Sequence, residues 1–293
     1  MNRQVLKPIL AAVAAAALSA ACIMLPAPEG DDAGWRTTPD EEEAASLGPE
    51  FRQTVEFAPG GAVSLENDYG DVAFSGWDRD AVEVVALAEK GPAGGTRGSF
   101  RTGGSRTSRP DVELRRTDAG LLVRSSTFEG PGRPPAVSFG VRVPASVDLT
   151  GIRISEGDLV VADVYGRLEA SVDEGRLSVS NFSGSVRGTV GTGDADVEVL
   201  DFRDGDEISL SVRRGDIVLR LEASVNAIVE ADAPHGQVES DFPLGRKLPA
   251  AAVKGWIGQG GPNILLRAAE GRIRIVRIVD SAASARASVS AGR

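Results

Sequence analysis

The sequence has almost none of the residues on which metal and nucleophilic chemistry depend. Among 293 residues there is one cysteine, Cys22, and one histidine, His235. A single cysteine excludes an internal disulfide and a cysteine-rich metal site. A single histidine argues against a histidine-based zinc site or a Ser-His-Asp triad. His235 stands between Pro234 and Gly236 and is interpreted as a turn residue. The sequence therefore predicts no catalytic residue, no metal and no cofactor.

Aromatic residues are also scarce, at 5% of the chain, whereas glycine is abundant with 35 residues. The hydrophobic fraction of 42% is therefore carried by valine, leucine, isoleucine and alanine. Short β-branched runs separated by glycines predict an all-β protein with frequent turns. The formal net charge of −10 would repel a phosphate backbone, which argues against a nucleic-acid partner. No small-molecule substrate is indicated either.

The amino terminus has the layout of an export signal. Residues 1–21 have a short basic start, an apolar run and small residues at the end, as in a secretory signal peptide. Ser19-Ala20-Ala21-Cys22 resembles a bacterial lipobox, although Leu18 lies one place further upstream than usual. Lipidation of Cys22 would make the protein a membrane-anchored envelope lipoprotein, at the outer membrane or periplasmic face of a two-membrane bacterium. Cleavage without lipidation and an uncleaved anchor are the alternatives.

The remaining chain divides by composition. Residues 22–50 contain eight acidic residues and one arginine and are predicted to be a disordered tether. Residues 51–279 are predicted to form the β-repeat domain, with a flexible basic insertion at 88–110, and residues 280–293 a disordered tail. The insertion contains five cations that would suit an anionic lipid, an anionic glycan or an envelope protein, namely Lys90, Arg97, Arg101, Arg106 and Arg109. A loop without a partner is the alternative.

A repeat of 18–22 residues runs through the domain, and each repeat has a glycine followed by a short apolar strand. The glycines are Gly157, Gly175, Gly193, Gly215 and Gly236, and Gly70 and Gly271 fit the same frame. Two and four residues after each glycine, thirteen of the fourteen positions are apolar. This alternation predicts strands with one buried face. Each repeat contains a second such strand, for example Leu168-Ala170-Val172. The spacing permits a parallel β-solenoid or an antiparallel meander or sandwich.

The alignment also interprets two acidic motifs. Arg214-Gly215-Asp216 matches a tripeptide that adhesion receptors recognise, but it fills the slot of the repeat glycine and is interpreted as a corner. Parallel stacking would place Arg176 between Asp158 and Asp194. A calcium site is a competing interpretation for the carboxylates of Asp194, Asp196, Asp204 and Asp206. The spacings of known calcium loops are absent, so solvated turn aspartates are favoured.

The chain resembles DUF4097, a bacterial family of adhesin-like domains of unknown function, over about residues 54–278. The likeness rests on VSLENDYGDVAFSGWDRDAVEVVA (63–86) and VRVPASVDLTGIRISEGDLVVADVYGRLEASVDEGRLSVSNFSG (141–184). The resemblance implies an exported or membrane-associated protein with a toast-rack-like or β-helical fold. It also implies a link to envelope stress or to adhesion. It favours a single-stranded β-solenoid, similar to a parallel β-helix or β-roll, over the meander.

These observations predict a non-enzymatic, lipid-anchored envelope protein whose repeats form an adhesin-like or envelope-stress-associated interaction scaffold. One alternative is a carbohydrate-active β-helix enzyme, a lyase or hydrolase, in which Trp77, Trp256 and Tyr69 would provide sugar platforms. Another is a bactofilin-like self-assembling protein. An aromatic-lined groove with converging carboxylates would favour the enzyme, and an uncapped apolar end would favour self-assembly.

Overall fold

The all-β prediction is confirmed. The computed structural model describes residues 50–88, 110, 112–125, 136–244 and 250–278. These residues form nineteen strands in one mixed sheet and no helix, so no described helix is long and apolar enough to cross a bilayer. The strands are β1 (Glu50–Glu56), β2 (Ala62–Tyr69), β3 (Val72–Trp77), β4 (Ala81–Ala88), β5 (Val112–Thr117), β6 (Gly120–Ser125), β7 (Val137–Pro144), β8 (Asp148–Glu156), β9 (Leu159–Ala162), β10 (Tyr165–Glu174), β11 (Leu177–Thr192), β12 (Ala195–Asp201), β13 (Glu207–Arg214), β14 (Ile217–Glu222), β15 (Ala227–Asp232), β16 (Val238–Ser240), β17 (Ala252–Ile257), β18 (Asn263–Glu270) and β19 (Ile273–Ile278).

Several predictions from the sequence concern residues outside the described ranges. These are the signal peptide, Cys22 and nearly all of the acidic tether at the amino terminus, and the tail at residues 280–293. The cations of the basic insertion also lie outside the described residues: Lys90, Arg97, Arg101, Arg106 and Arg109. All of these stay predictions.

The strands pair into two stacks. The first stack runs in the order β5, β6, β2, β8, β10, the second half of β11, β13, β18, β15 and β17. The second stack runs in the order β1, β4, β7, β3, β9, the first half of β11, β12, β14, β19 and β16. Within the second stack the residues two places after the repeat glycines pair in parallel and in register, as Leu159, Leu177, Ala195, Ile217, Ile273 and Val238.

The apolar residues of the two stacks form one core. Leu159, Leu177 and Ile217 are fully buried and belong to the same cluster as Leu168 and Leu210 of the first stack. The stacks face each other across this core. A Cβ added at Gly188 of the first stack would lie 2.6 Å from Cδ2 of Leu177 in the second. The period-two pattern therefore identified the buried face of both strands correctly.

Both ends of the stacks depart from sequence order. Among the parallel repeats at the amino-terminal end, the one formed by β6 and β7 is outermost, the earlier repeat of β2 and β3 lies inside it, and β8 and β9 follow. At the other end, β18 and β19 lie between β13 and β14 on one side and β15 and β16 on the other. Four antiparallel pairs complete the described ends: β1 with β4, β4 with β7, β5 with β6, and β15 with β17. The repeat spacing left parallel and antiparallel pairing of strands open, and the structure contains both.

Glycine is required at the corners before β11 and β14. Gly175 and Gly215 have φ values of +144° and +138°, where a side chain is strained. A Cβ at Gly175 would lie 1.9 Å from the carbonyl oxygen of Gly157 in the neighbouring repeat. At Gly215 it would lie 2.0 Å from the carbonyl oxygen of Gly193. Glycine therefore recurs at these corners because neighbouring backbones meet there.

Candidate binding surface on the outer face of the first stack

The aspartates that follow the corner glycines serve the fold. The carboxylate oxygen Oδ1 of Asp158 accepts a hydrogen bond from the Arg176 N–H at 2.8 Å. Nη2 of Arg176 in turn donates to Oδ2 of Asp194 at 3.1 Å. Arg176 therefore lies between the two aspartates, and this prediction is confirmed. Exposed ion pairs of this type contribute about 0–1 kcal/mol each and mainly fix the register.

The Arg214-Gly215-Asp216 tripeptide is part of the same corner. Oδ1 of Asp216 accepts the N–H of Arg272 at 2.7 Å, and Oδ2 accepts Nη2 of Arg272 at 3.0 Å. Nε of Arg214 lies 3.5 Å from the carboxylate of Glu270. Both charged side chains are therefore engaged within the stack. The interpretation as a corner is confirmed.

The four carboxylates considered for calcium do not converge. Asp194 bonds Arg176, and Asp196 is ion-paired with Arg220 on the outer face of the second stack. Asp206 accepts the N–H of Arg203, while Asp204 lies exposed in the turn. Within the described ranges no group of three potential ligands would hold a metal ion. His235 is an exposed turn residue, which confirms its interpretation.

Asp71 is the corner carboxylate whose titration is expected to affect stability. Burial raises the pKa of Asp71 above its ordinary value of 3.8; the hydrogen bond from the Asp158 N–H opposes this rise, and the Asp158 carboxylate adds to it. The folded state therefore holds its proton to higher pH than the unfolded state. Stability from this residue is present at low pH and is lost as pH rises from about 4 through the folded-state pKa.

Asp71→Asn is therefore expected to remove this loss while keeping an oxygen that accepts the Asp158 N–H bond of 2.9 Å. The free energy of unfolding, measured by urea titration at a series of pH values, should fall less steeply above about pH 4 than in the unmodified chain. Asp71→Ala is the control, because it removes both the charge and the acceptor. It should show the same shallower slope at a lower stability throughout. An unchanged slope in both variants would contradict the assignment.

The motif residues behind the DUF4097 resemblance are structural. The side-chain amide of Asn67 is buried and donates to the carbonyl oxygens of Gly70 at 3.0 Å and Val137 at 2.9 Å. Nε1 of Trp77 donates to the carbonyl oxygen of Ala81 at 2.8 Å. The guanidinium of Arg142 lies 5.7 Å from the centre of the Trp77 ring. These residues join the strands at the amino-terminal end.

The three aromatic residues proposed as sugar platforms lie apart. Trp77 and Tyr69 belong to β3 and β2 near the amino-terminal end, and both are half-buried. Trp256 belongs to β17 at the opposite end of the stack order and is 68% exposed. It is the only one of the three whose ring faces solvent. A cleft built from all three is therefore excluded.

Trp256 borders a groove on the outer face of the first stack. Ile228 of β15 pairs directly with Trp256 and is 42% exposed, and Leu265 of β18 is 45% exposed. Beside them, strands β13, β18, β15 and β17 form a groove of about 600 Å³. Its outward-facing side chains are Ser209, Ser211, Leu265, Arg267, Glu230, Asp232, Ala252 and Lys254. Solvent-facing apolar side chains that lie together on a strand face are typical of interaction sites.

Cross-strand pairing places side chains of opposite charge next to each other in the groove. Lys254 and Glu230 are register partners on β17 and β15, and Nζ of Lys254 lies 3.0 Å from Oε2 of Glu230. Arg267 and Asp232 are register partners on β18 and β15, and their charged atoms lie 3.6 Å apart. Each carboxylate therefore has a cation beside it. The side chains are held in place while their remaining lone pairs and N–H groups face the groove.

Sequence reasoning considered Trp256 but missed the rest of the groove. The available signal was an apolar residue on the solvent-facing side of an alternating strand. In NILLRAAE (263–270) the buried positions are Ile264, Leu266 and Ala268, which places Leu265 on the outside. The neighbours of Leu265 depend on the order β13, β18, β15, β17, which differs from the order in the chain. The pattern of one strand could not supply that order.

No family model matches the chain, and no curated protein is similar to it. Membership of DUF4097 therefore stays a prediction. Among solved structures, the chain is similar to a "putative cell adhesion protein" from Clostridium sporogenes, at 13% identity and a TM-score of 0.44. That match covers 79% of this chain and 100% of the other.

Two further solved structures are similar at lower scores. A "putative adhesin" from Bacteroides fragilis has 10% identity and a TM-score of 0.28, covering 78% of this chain and 97% of its own. A "putative lipid binding protein" from Parabacteroides distasonis has 9% identity and a TM-score of 0.23, with coverage of 78% and 97%. All three matches have a sequence identity of 13% or less and a TM-score of 0.44 or less.

Proposed function

We propose that the protein is a non-enzymatic binding module of the bacterial cell envelope, built as a β-solenoid of two-stranded coils. The solenoid is supported by the in-register parallel pairing of successive repeats and by the single core that both stacks share. Such an array is stiff, because each repeat is fixed by its two neighbours. It presents a long, regular outer face, on which side chains of several strands act together.

The observation that carries the binding role is the exposure of Trp256, Ile228 and Leu265 on regular strands. These side chains alternate with fully buried neighbours, so the strand pattern itself turns them to solvent. A monomeric surface gains nothing from an exposed indole beside two aliphatic residues. A partner that covers them would gain their apolar area, and aromatic residues are frequent anchors of such contacts.

The two alternative functions have less support. Glu230 and Asp232 bring carboxylates into the groove, as a carbohydrate-active enzyme would need, but each is paired with a cation. Within the described ranges, the residues that line the groove include no histidine, tyrosine or cysteine that could serve as a further proton donor. Against self-assembly, β17 covers β15 in antiparallel orientation, and Phe242 and Leu244 are buried at that end of the core.

Export and anchoring complete the proposal. In this proposal the hydrophobic leader directs export, Cys22 carries the lipid anchor, and the acidic segment 22–50 holds the domain away from the membrane. The basic insertion at 88–110 supplies a second contact, to an anionic lipid, an anionic glycan or an acidic envelope protein. Metabolic lipid labelling that is lost in Cys22→Ser tests the anchor. Labelling that persists in this variant would contradict it.

The binding role is tested by photo-crosslinking in cells. A photoreactive amino acid replaces Ile228 at the patch in one version of the full chain, and Arg153 in a second version. Arg153 is a matched control because it lies on the outer face of the first stack and its side chain is 74% exposed. Crosslinks to envelope components are expected from position 228 and not from position 153. Absence of crosslinks at 228, or equal crosslinks at both positions, would contradict the proposal.

A further inference from the structure

We infer that the groove beside Trp256 binds a neutral glycan chain, lying across strands β13, β18, β15 and β17 with Trp256 as a stacking platform at one end. The inference rests on the proposed binding role and names the ligand class for the same surface. It follows from the shape of the groove, the balance of its charges and the placement of one aromatic ring.

The shape suits a chain that crosses the strands. The groove spans four neighbouring strands, and three strand spacings of about 4.8 Å amount to roughly 14 Å between β13 and β17. Its β13 side is formed by the short side chains of Ser209 and Ser211, and its β17 side by Ala252 and the longer Lys254. The volume of about 600 Å³ is that of an open trough which admits a few linked sugar rings.

The charges favour a neutral, hydroxyl-rich ligand. Among the described residues, the ionisable side chains that line the groove are two acids and two bases, paired as Glu230 with Lys254 and Asp232 with Arg267. An anionic ligand would meet both carboxylates, and a cationic ligand would meet both cations. A neutral polyol is repelled by neither, and its hydroxyl groups can donate hydrogen bonds to the carboxylates and accept them from the cations. An ammonium has three donors, a guanidinium five, and each carboxylate about four lone-pair sites, so pairing leaves several of each available.

Trp256 adds the apolar contact. The face of an indole ring carries partial negative charge, which attracts the weakly positive C–H groups on the flat side of a pyranose ring. Trp256 is 68% exposed and lies two residues from Lys254 on the same face of β17. Trp77, in contrast, is bonded through its ring nitrogen and lies against arginine side chains. The chain therefore exposes an indole next to the neutral groove.

An extended peptide fits this surface less well. Peptides that bind sheets pair with an unpaired strand edge or insert side chains into apolar pockets. The groove lies on the face of the sheet and not along its edge: β13, β18 and β15 are paired on both sides, and β17 is paired with β15. Its outward side chains on β13 are serines, and the apolar Leu265 stands beside them without a surrounding pocket. Glycan is therefore the occupant that the observations favour.

The experiment measures binding of the full chain to cellohexaose, chitohexaose and maltohexaose by calorimetry, with hexagalacturonate as the anionic comparison. At least one neutral hexasaccharide should bind saturably, and hexagalacturonate should bind at least about tenfold more weakly. Trp256→Ala should weaken the neutral ligand about tenfold or more, as expected when an aromatic anchor is truncated. Tyr165→Ala is the control: Tyr165 is 52% exposed on β10 of the same stack, and its removal should leave binding unchanged.

A second variant guards against a folding defect in Trp256→Ala. Glu230→Gln keeps the side-chain shape but leaves Lys254 without its carboxylate partner. This variant should weaken the neutral hexasaccharide and strengthen hexagalacturonate, a reversal that a general loss of structure would not produce. The inference is overturned if no neutral hexasaccharide binds at millimolar concentration, or if binding is unaffected by both variants.

The crosslinking result separates the two proposals. If no neutral glycan binds but position 228 still crosslinks to envelope proteins, the glycan inference fails and the binding role stands. If neither position 228 nor the hexasaccharides gives a signal, both fail.

Discussion

Gly193→Ala is expected to destabilise the protein by about 4 kcal/mol or more, a loss that is exceptional for a single substitution. Gly193 has φ +134°, and a Cβ there would lie 1.9 Å from the carbonyl oxygen of Gly175 in the adjacent repeat. A backbone oxygen cannot turn aside as a side chain can. The repeats would have to separate, which would stretch the hydrogen bond of 2.9 Å from the Gly175 N–H to the Thr192 carbonyl oxygen.

Gly205→Ala is the matched control for this prediction. Gly205 also has a positive φ, +98°, but a Cβ there would meet nothing within 4 Å. Its cost is therefore the backbone strain alone, about 1–2 kcal/mol. Urea unfolding followed by far-ultraviolet circular dichroism would compare the two variants. Equal losses would mean that strain at positive φ, and not the contact between repeats, accounts for the corner glycines.

The same contact explains how much of the fold was predictable from sequence. Because every repeat places its glycine where the neighbouring backbone approaches, the glycine spacing reports the repeat directly. The apolar positions two and four residues later then have to face the core. Leu159, Leu177 and Ile217 are fully buried and in register, as this reasoning requires. The position of Arg176 between two aspartates follows from the same alignment.

The order of the outer repeats could not be obtained in this way. The pattern after Gly70, Gly236 and Gly271 identifies strands of the correct type, but a period does not state which repeat lies beside which. In the structure, a Cβ added at Gly236 would meet the carbonyl oxygen of Gly271, and one added at Gly271 would meet that of Gly215. The repeat that begins at Gly271 therefore lies between the repeats that begin at Gly215 and Gly236, although it comes last in the sequence. That choice depends on how β17 and the turns around it cover the end of the core, which is a non-local packing property.

The residues that meet in the candidate binding surface could not be predicted from the sequence either, because they depend on the strand order. Its residues come from four strands separated by up to about fifty positions in sequence, and only their pairing makes Glu230 a neighbour of both Lys254 and Leu265. Composition shows that aromatic residues are scarce, but it could not predict that Trp256 lies exposed beside a groove, because that position depends on the strand pairing.

Leu266→Ala is expected to lower the free energy of unfolding by about 2–5 kcal/mol, the range for a buried leucine whose removal leaves a cavity. Leu266 is fully buried and pairs with Leu210 on one side and Ala231 on the other, in the core shared by both stacks. Its neighbours on adjacent strands are held by backbone pairing and cannot move in to fill the space. The loss is measured by urea unfolding, monitored by circular dichroism.

Leu265→Ala makes the same chemical change one residue earlier, on the opposite face of β18. Leu265 is 45% exposed, so its loss should change stability by no more than about 0.5 kcal/mol. Because it lies in the groove, its loss should instead weaken ligand binding. Two adjacent leucines would then separate the two roles of one strand, with the inward residue supporting the core and the outward residue the binding surface. Equal destabilisation by both substitutions would mean that the outer face is covered and not available to a ligand.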